Sequence, residues 1–496
     1  MKLTYINQKI NGKLIGEDKI FKGIFTTLGD ANEGDIAIRH KINGKGIEIA
    51  KQKKLSAIIT LNPLDNAIET SKKLKFPIII VNKIEEATAF ALKWTINKFA
   101  PNSKKIVITG TNGKSTTTHM IYHILSNAGY NTFTNTDAES EFNTLIDPMV
   151  ARMIVKYIRK LNHIPDTIIN SQLSDKIEKE PDYLVIEVSE VQGWLGKLMK
   201  GHGFLMTNAI NPDALVLTNV AMDHIGLVNS IDEVYDEIAG SLKAQNKGYL
   251  IINSEDKLLK SMTPLKKDNI GIFYHGKGCP NQESELKVES QGVIYKNELI
   301  IPMEELPFKT KHFLENTLSA ISATITLNIP SEDIIKGVTS YKSLNRRFTT
   351  LNEKPLIIDD FAHNPDGIKL TIQSTAKISK NKLWIVCAIR GSRGININQL
   401  NAEALAQEYN KIPHNNKEIY LTSSIDVVDN LNTVTPEERN SFFNTMDHNQ
   451  IKYKHFNNLK DALSTVYQQA KKEDTILLIG AQGMDPASIL LNNILS

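Results

Sequence analysis

The 496 residues read as an α/β protein of three domains: a smaller α/β N-terminal domain, a central doubly wound parallel sheet built on a P-loop-type turn, and a C-terminal Rossmann-like α/β domain. Three observations carry this reading. An apolar, β-branched run, Ile106–Thr109, feeds a glycine-rich turn and then a helical stretch. From Lys104 onward strand-like and helix-like segments alternate, which calls for a parallel sheet with helices on both faces. The length corresponds to about three domains, and a second alternating set begins near Arg346.

Taken in order, residues 1–100 mix short elements. Ala57–Thr60 and Pro77–Val81 are strand-like, and Gly46–Lys54 and Ile84–Phe99 have helical spacing. Pro101-Asn102-Ser103 reads as a linker. Residues 101–344 form the central domain, with strands at Ile106–Thr109, Tyr183–Val188 and Ala214–Asn219 and a further candidate at Gly248–Asn253. Between the first two lies a polar, helix-prone insertion, 137–180, open to two readings, a mobile lid or a surface excursion. Residues 345–496 carry strands at Leu356–Asp359, Leu383–Ile389, Glu418–Thr422 and Thr475–Gly480.

Composition narrows the class. With 41% hydrophobic and 23% charged residues, the chain has the profile of a soluble globular protein. No apolar run approaches the roughly 18 residues that span a bilayer. The N-terminal stretch lacks the apolar core of a signal peptide. Two cysteines, Cys279 and Cys387, make no disulfide framework and no metal pattern. A cytoplasmic location is expected. The net charge of +3 is uneven: residues 1–98 hold 17 Lys and Arg against 10 Asp and Glu, leaving the remainder at −4. A basic first domain points to an anionic partner. Nucleic acid is not expected, because no recognition motif or aromatic interleaving accompanies the lysines.

The chemistry concentrates in Gly110-Thr111-Asn112-Gly113-Lys114-Ser115-Thr116. A strand, a glycine turn and a helix N-terminus make a phosphate cradle, because glycines let backbone N–H groups approach oxygens and the helix dipole favours negative charge. Lys114 is expected on the β/γ-phosphates and Ser115 or Thr116 on Mg²⁺. The expected ligand is therefore a nucleoside triphosphate, ATP. A common Walker A loop would need glycine at position 108, which is Ile108. Asp182–Glu187 is a buried strand ending in a carboxylate, and ligands of open α/β sheets sit at such strand ends. Glu187 is a hard oxygen ligand suited to Mg²⁺.

The shorter loop G-T-N-G-K-S-T resembles that of the Mur ligase family of ATP-dependent ligases, which includes cell-wall peptide ligases, folylpolyglutamate synthase and part of cyanophycin synthetase. Three further signatures follow in the family's order. Glu187-Val-Ser189 resembles its E-V-S-S, with Glu190 in place of the second serine, and implies Glu187 as a metal ligand. Thr218-Asn219-Val-Ala-Met-Asp223-His224 resembles T-N-I-x-x-D-H and implies His224 as a ligand of a second metal. Asp359-Asp360-Phe361-Ala362-His363-Asn364-Pro365 resembles D-D-Y-A-H-N-P, implying Asp360 near ribose and His363 near the reacting carboxyl-phosphate. Looser matches add Asn316 as an adenine contact, with His312 as the histidine before it, and Arg347 as the arginine reaching the γ-phosphate. Asn316 is expected to face away from the apolar stripe of its helix. Arg390-Gly391-Ser392-Arg393-Gly394 stands where the family has a phosphate or substrate turn, and Gly480–Asp485 replaces its late G-K-G-x-E. A carbamylated lysine is expected at 238–240, where none occurs; Lys243 is the nearest candidate.

The stretch from Gly29 resembles the N-terminal domain of the MurE and MurF ligases, which holds the uridine diphosphate of the acceptor. The resemblance therefore implies a monomeric, cytoplasmic ligase. It would join a free amino acid to a UDP-linked peptide precursor through an acyl-phosphate, with the third domain closing over the nucleotide. The combination of features resembles the archaeal ligases that build pseudomurein peptide. A bacterial-type UDP-MurNAc-peptide ligase, a cyanophycin- or folate-type ligase, and a non-catalytic nucleotide-gated binding subunit are the alternatives.

Overall fold

The computed structural model describes residues 1–136, 143–194, 197–222, 227–277, 286–413 and 416–495. The chain folds into two compact units. The first contains residues 1–219, 235–307 and 315–341; the second contains 220–234, 308–314 and 342–496.

The first unit holds two sheets. The smaller has the order β1-β5-β4-β3-β2, from β1 (Lys13–Ile15), β2 (Phe25–Thr26), β3 (Ile36–Ile42), β4 (Ala57–Pro63) and β5 (Ile78–Ile80). Helices α1 (Leu3–Lys9), α2 (Gly44–Gln52), α3 (Ala67–Lys73) and α4 (Ile84–Phe99) accompany it. The apolar centres of β3 and β4 are buried on both faces, as parallel strands covered by helices must be. Phe21, Phe25, Phe90 and Trp94 form an aromatic cluster that fixes α4 to this sheet.

The larger sheet has nine strands in the order β16-β15-β14-β13-β12-β11-β6-β8-β7. Its parallel part comprises β6 (Lys104–Thr109), β7 (Thr132–Thr134), β8 (Tyr183–Glu187), β11 (Ala214–Leu217), β12 (Tyr249–Asn253) and β13 (Gly271–His275). Between them run α5 (Lys114–Asn127), α6 (Met149–Leu161), the short pair β9 (Gly193–Trp194) and β10 (Lys197–Leu198), α7 (His202–Ile210), α8 (Ile231–Ala244) and α9 (Lys257–Met262). An antiparallel edge, β14 (Leu286–Glu289), β15 (Gly292–Tyr295) and β16 (Glu298–Pro302), escaped the sequence reading. Helices α10 (Lys311–Thr326) and α11 (Ser331–Thr339) follow.

The described part of the 137–180 insertion is a packed layer. In α6, Val150, Ala151, Ile154, Val155 and Ile158 are buried, and the helix lies on α4 and β2. The polar composition that suggested a lid reflects only its outer face.

The second unit has a six-stranded sheet, order β17-β18-β22-β19-β20-β21. Its strands are β17 (Thr349–Glu353), β18 (Leu356–Asp360), β19 (Leu383–Ala388), β20 (Lys417–Thr422), β21 (Tyr453–Phe456) and β22 (Thr475–Ile479). Only β17 runs antiparallel. Helices α12 (Pro365–Ile378), α13 (Ile395–Lys411), α14 (Pro436–His448), α15 (Leu459–Gln469) and α16 (Ala487–Leu495) cover it. Among the described residues no helix is long and apolar enough to cross a membrane.

Candidate active site

The glycine loop lies at the C-terminal end of β6, between β11 and β8. Ile106, Val107 and Ile108 anchor the strand in the sheet without exposure. Gly110 has φ +125° and Gly113 has φ +85°, conformations an L side chain resists. A Cβ at Gly110 would run into the Thr218 hydroxyl, and one at Gly113 into the Asn316 side-chain amide. Asn219 fixes the loop between them. Its carbonyl accepts from Thr111 N (3.0 Å), its side-chain oxygen accepts from Asn112 N (3.0 Å), and its Nδ2 donates to Asn112 O (2.8 Å). Helix α5 starts immediately at Lys114, with Thr117 N donating to Gly113 O (2.9 Å). First-turn N–H groups have no partner within a helix, so this end attracts an anion.

Lys114 Nζ donates to Gly110 O (2.8 Å), Thr111 O (3.0 Å) and Glu190 Oε2 (2.7 Å). Glu190 is wholly buried. Asn316 is buried as well, with its side-chain amide against Gly113 of the loop. The helical period locates the apolar stripe but not the notch that a glycine opens opposite it.

Glu187 ends β8 in register with Ile108 of β6, so its carboxylate and the loop share one edge of the sheet. Thr136 Oγ1 donates to Oε2 (2.9 Å) and Asn143 Nδ2 to Oε1 (2.9 Å). The Asn135 side chain brackets the Glu187 backbone, accepting from its N–H (2.8 Å) and donating to its carbonyl (3.0 Å). Each carboxylate oxygen, holding one hydrogen bond, keeps lone-pair capacity for a hard cation. With the Ser115 hydroxyl at the helix start, these donors fit Mg²⁺. His224 and Asp223 lie outside the described residues. Lys243 is exposed near the end of α8.

His202 Nδ1 is 3.0 Å from Ser189 O, and Nε2 accepts from Leu145 N (3.2 Å). Burial holds its pKa down at about 4, so the ring is neutral, donating from Nδ1.

In the second unit, Asp360 organises its own loop rather than projecting bare. It accepts from Phe348 N (2.8 Å), Ala362 N (3.0 Å) and Thr371 Oγ1 (2.9 Å). The His363 Nδ1 lies 2.6 Å from Phe361 O, and its ring meets Phe361 edge-on. Arg346 and Arg347 both stack on the Phe361 ring, at 4.9 and 4.8 Å. Arg346 is the buried partner. It donates to Asp359 Oδ1 (3.3 Å), Ala481 O (3.0 Å), Gly480 O (2.5 Å) and Asp485. Burial pushes the Asp359 carboxyl up to about 6. His312 packs on Phe313 and Phe348, and burial lowers its pKa.

The expected phosphate or substrate turn at Gly391–Gly394 already holds an anion from the chain itself. The Glu438 carboxylate accepts from the N–H groups of Ser392 (3.0 Å), Arg393 (2.7 Å) and Gly394 (2.6 Å). Glu438 also closes a capping box with Thr435 at the start of α14. The motif T-P-E-E was legible in sequence as a helix start; its second use was not. Asn219, Glu190 and the Asn135–Thr136–Asn143 set around Glu187 were likewise not identified as site residues beforehand.

The model of the Mur ligase middle domain matches residues 108–324, and that of the Mur ligase glutamate ligase domain matches 346–482. A UDP-N-acetylmuramoyl-L-alanyl-D-glutamate–2,6-diaminopimelate ligase of Listeria monocytogenes is 24% identical over 382 residues, covering 74% of this chain and 71% of the relative. In fold, MurF from Acinetobacter baumannii superposes with a TM-score of 0.69 at 17% identity, covering 99% and 98% of the two chains. A pseudomurein peptide ligase type C from Methanothermus fervidus gives 0.54 at 18% identity, covering 92% and 100%.

Proposed function

This chain belongs to the Mur ligase family of ATP-dependent acid–amino-acid ligases, and from that premise we propose that it joins an amino acid to the carboxylate of a UDP-linked cell-wall peptide precursor. The observation that carries the proposal is the phosphate loop: Gly110 and Gly113 at positive φ with room for backbone approach, Lys114 beside them, and Glu187 at the adjacent strand end.

In this reading a carboxylate oxygen of the precursor attacks the γ-phosphorus of ATP, and ADP leaves. The amine of the amino acid then attacks the acyl carbon, phosphate leaves, and the amine gives up a proton. Lys114 and the N-terminus of α5 orient the phosphates and offset their charge. Ser115 and Glu187 would hold Mg²⁺, which neutralises charge on the transferring phosphoryl group. Arg347, Asp360 and His363 are assigned to the nucleotide and acyl-phosphate, with Asp360 hydrogen-bonded to Phe348 N and Thr371 Oγ1. Residues 1–100, net basic, take the UDP moiety; 101–344 take ATP; 345–496 take the amino acid. His224 and Lys243 complete the proposed set.

The proposed acceptor is a pseudomurein-type precursor, on the combination of sequence features; the Methanothermus fervidus ligase shares the fold. The relative from Listeria supports a bacterial-type muramyl acceptor as the second reading. Phosphate release with ATP, Mg²⁺ and each acceptor against a panel of single amino acids tests both. Release that requires one acceptor and one amino acid is expected. ATP binding without release on any combination would overturn the UDP-linked acceptor, in favour of a cyanophycin- or folate-type acceptor first and a binding subunit second.

A further inference from the structure

The buried Glu190 carboxylate has no place in the reaction outlined above, yet it touches the residue that reaction most depends on. Its Oε2 is 2.7 Å from Lys114 Nζ, and none of Glu190 is exposed. Lys114 Nζ donates to Gly110 O, Thr111 O and Glu190 Oε2. Two of these acceptors are neutral carbonyls of the loop itself; the third is an anion brought from the neighbouring strand β8.

That anion is firmly held. Val188 N donates to Ile108 O (2.8 Å), Ser189 Oγ donates to Val191 O (2.8 Å), and His202 is hydrogen-bonded to Ser189 O. Val188, Val191 and Glu190 are all without exposure. A buried carboxylate in a fixed backbone cannot move aside into water, and it is costly there without a cation. Lys114 and Glu190 therefore set a positive and a negative side chain in contact at the cradle, with the Glu187 carboxylate at the adjacent strand end. A metal-free nucleoside triphosphate brings several negative charges against this pair. Its metal complex brings fewer, together with a cation that the Glu190 carboxylate attracts.

We propose that Glu190 is a positioning residue of the phosphate loop: it orients Lys114 and, through its own charge, makes the loop take a nucleoside triphosphate as its divalent-metal complex and reject the metal-free polyanion. The proposal rests on the reading of this loop as the nucleotide site. Repulsion between unit charges about 5 Å apart, at the effective dielectric of a protein site, is large enough to change affinity tenfold or more.

The test is calorimetric titration of the full chain with the non-hydrolysable analogue AMPPNP, once with Mg²⁺ and once with EDTA. Wild type, Glu190→Gln and Glu190→Ser are compared, with circular dichroism reporting the fold. Wild type is expected to bind the Mg²⁺ complex at least 100-fold more tightly than the free analogue. In either variant the metal-free affinity should rise about tenfold while affinity for the complex changes less than threefold, so the ratio collapses. The serine variant, which removes bulk as well as charge, gives the answer if the glutamine variant does not fold. An unchanged ratio in a folded variant overturns the role of Glu190. Failure of wild type to bind either form overturns the nucleotide reading of the loop instead, and the two failures are distinct. A merely structural role for Glu190 would lower both affinities together and leave the ratio where it was.

Discussion

A methyl group at position 113 would meet two separate penalties. One is conformational, because φ is +85° there and an L residue in this region costs about 1–2 kcal/mol. The other is steric, because the new carbon would run into the Asn316 amide. The two can be separated by experiment. Gly113→Ala should weaken nucleotide binding at least tenfold. Adding Asn316→Ala should recover the steric part of the lost stability and leave the conformational part, so the double variant has a higher denaturant midpoint than the single one. Wild-type binding by Gly113→Ala would sink this account. The residue scale is also where sequence reading was most uneven. The glycines of the loop were legible because their spacing against a strand and a helix has one physical use. Asn316 was placed away from the apolar stripe of its helix, with its neighbour left open, because helical period alone cannot see a glycine on another element. Arg346 and Arg347 were told apart by motif, whereas their burial differs through contacts made 134–139 residues away.

At the scale of elements, β6, β8, β11, β12, β18, β19, β20 and β22 were readable because each is a short, continuous apolar run, whereas the parallel strands β7 and β13 were not read. The meander β14–β16 and the edge strands β17 and β21 were not, since their half-exposed patterns resemble loops. The insertion was misjudged for a related reason: its composition was averaged over a helix whose two faces differ sharply. What ties that insertion to the site is His202 at the start of α7. Its neutral ring accepts from Leu145 N of the insertion and is bonded to Ser189 O beyond β8. Protonation would set a second N–H against the Leu145 N–H. The folded pKa of about 4 lies below the ordinary histidine value of 6.5, so the unfolded chain takes up the proton first. His202 therefore costs no stability above about pH 6.5, and stability is lost as pH falls from there toward 4, by roughly 3 kcal/mol for a shift of this size. His275, wholly buried with its pKa held down at about 3, adds loss in the same direction. Denaturant midpoints measured from pH 7.5 to 4.5 should show this decline. His202→Gln should flatten part of it while lowering the midpoint at pH 7.5. A pH profile identical to wild type would remove His202 from the account.

On the scale of the whole chain, the five-stranded and nine-stranded sheets lie in one compact unit. The chemistry of their junction explains this. Helix α4 closes the aromatic cluster of the smaller sheet and also packs on α6 and α7 of the larger part. Its Thr88 hydroxyl donates to Leu145 O (2.5 Å). The Asp35 carboxylate, buried in the smaller sheet, accepts from Ile24 N (2.9 Å), Asn32 N (2.8 Å) and the Asn170 Nδ2 of the insertion (2.8 Å). Desolvation raises the pKa of Asp35, so each donor that holds its charged form matters. Asn170 also accepts from Arg159 (2.7 Å), and Arg152 pairs with Asp30. Such a junction, apolar and hydrogen-bonded through buried groups, should make the two sheets open together. Hydrogen exchange followed by mass spectrometry under mild denaturant is expected to show β3 and β8 losing protection at one common midpoint. Asn170→Ala strips one donor from a buried carboxylate and should cost about 1–3 kcal/mol. If the junction is what couples the sheets, the variant should also let β3 exchange ahead of β8. Early exchange of β3 in the wild type would show instead that the smaller sheet is a separate folding unit resting on the larger one.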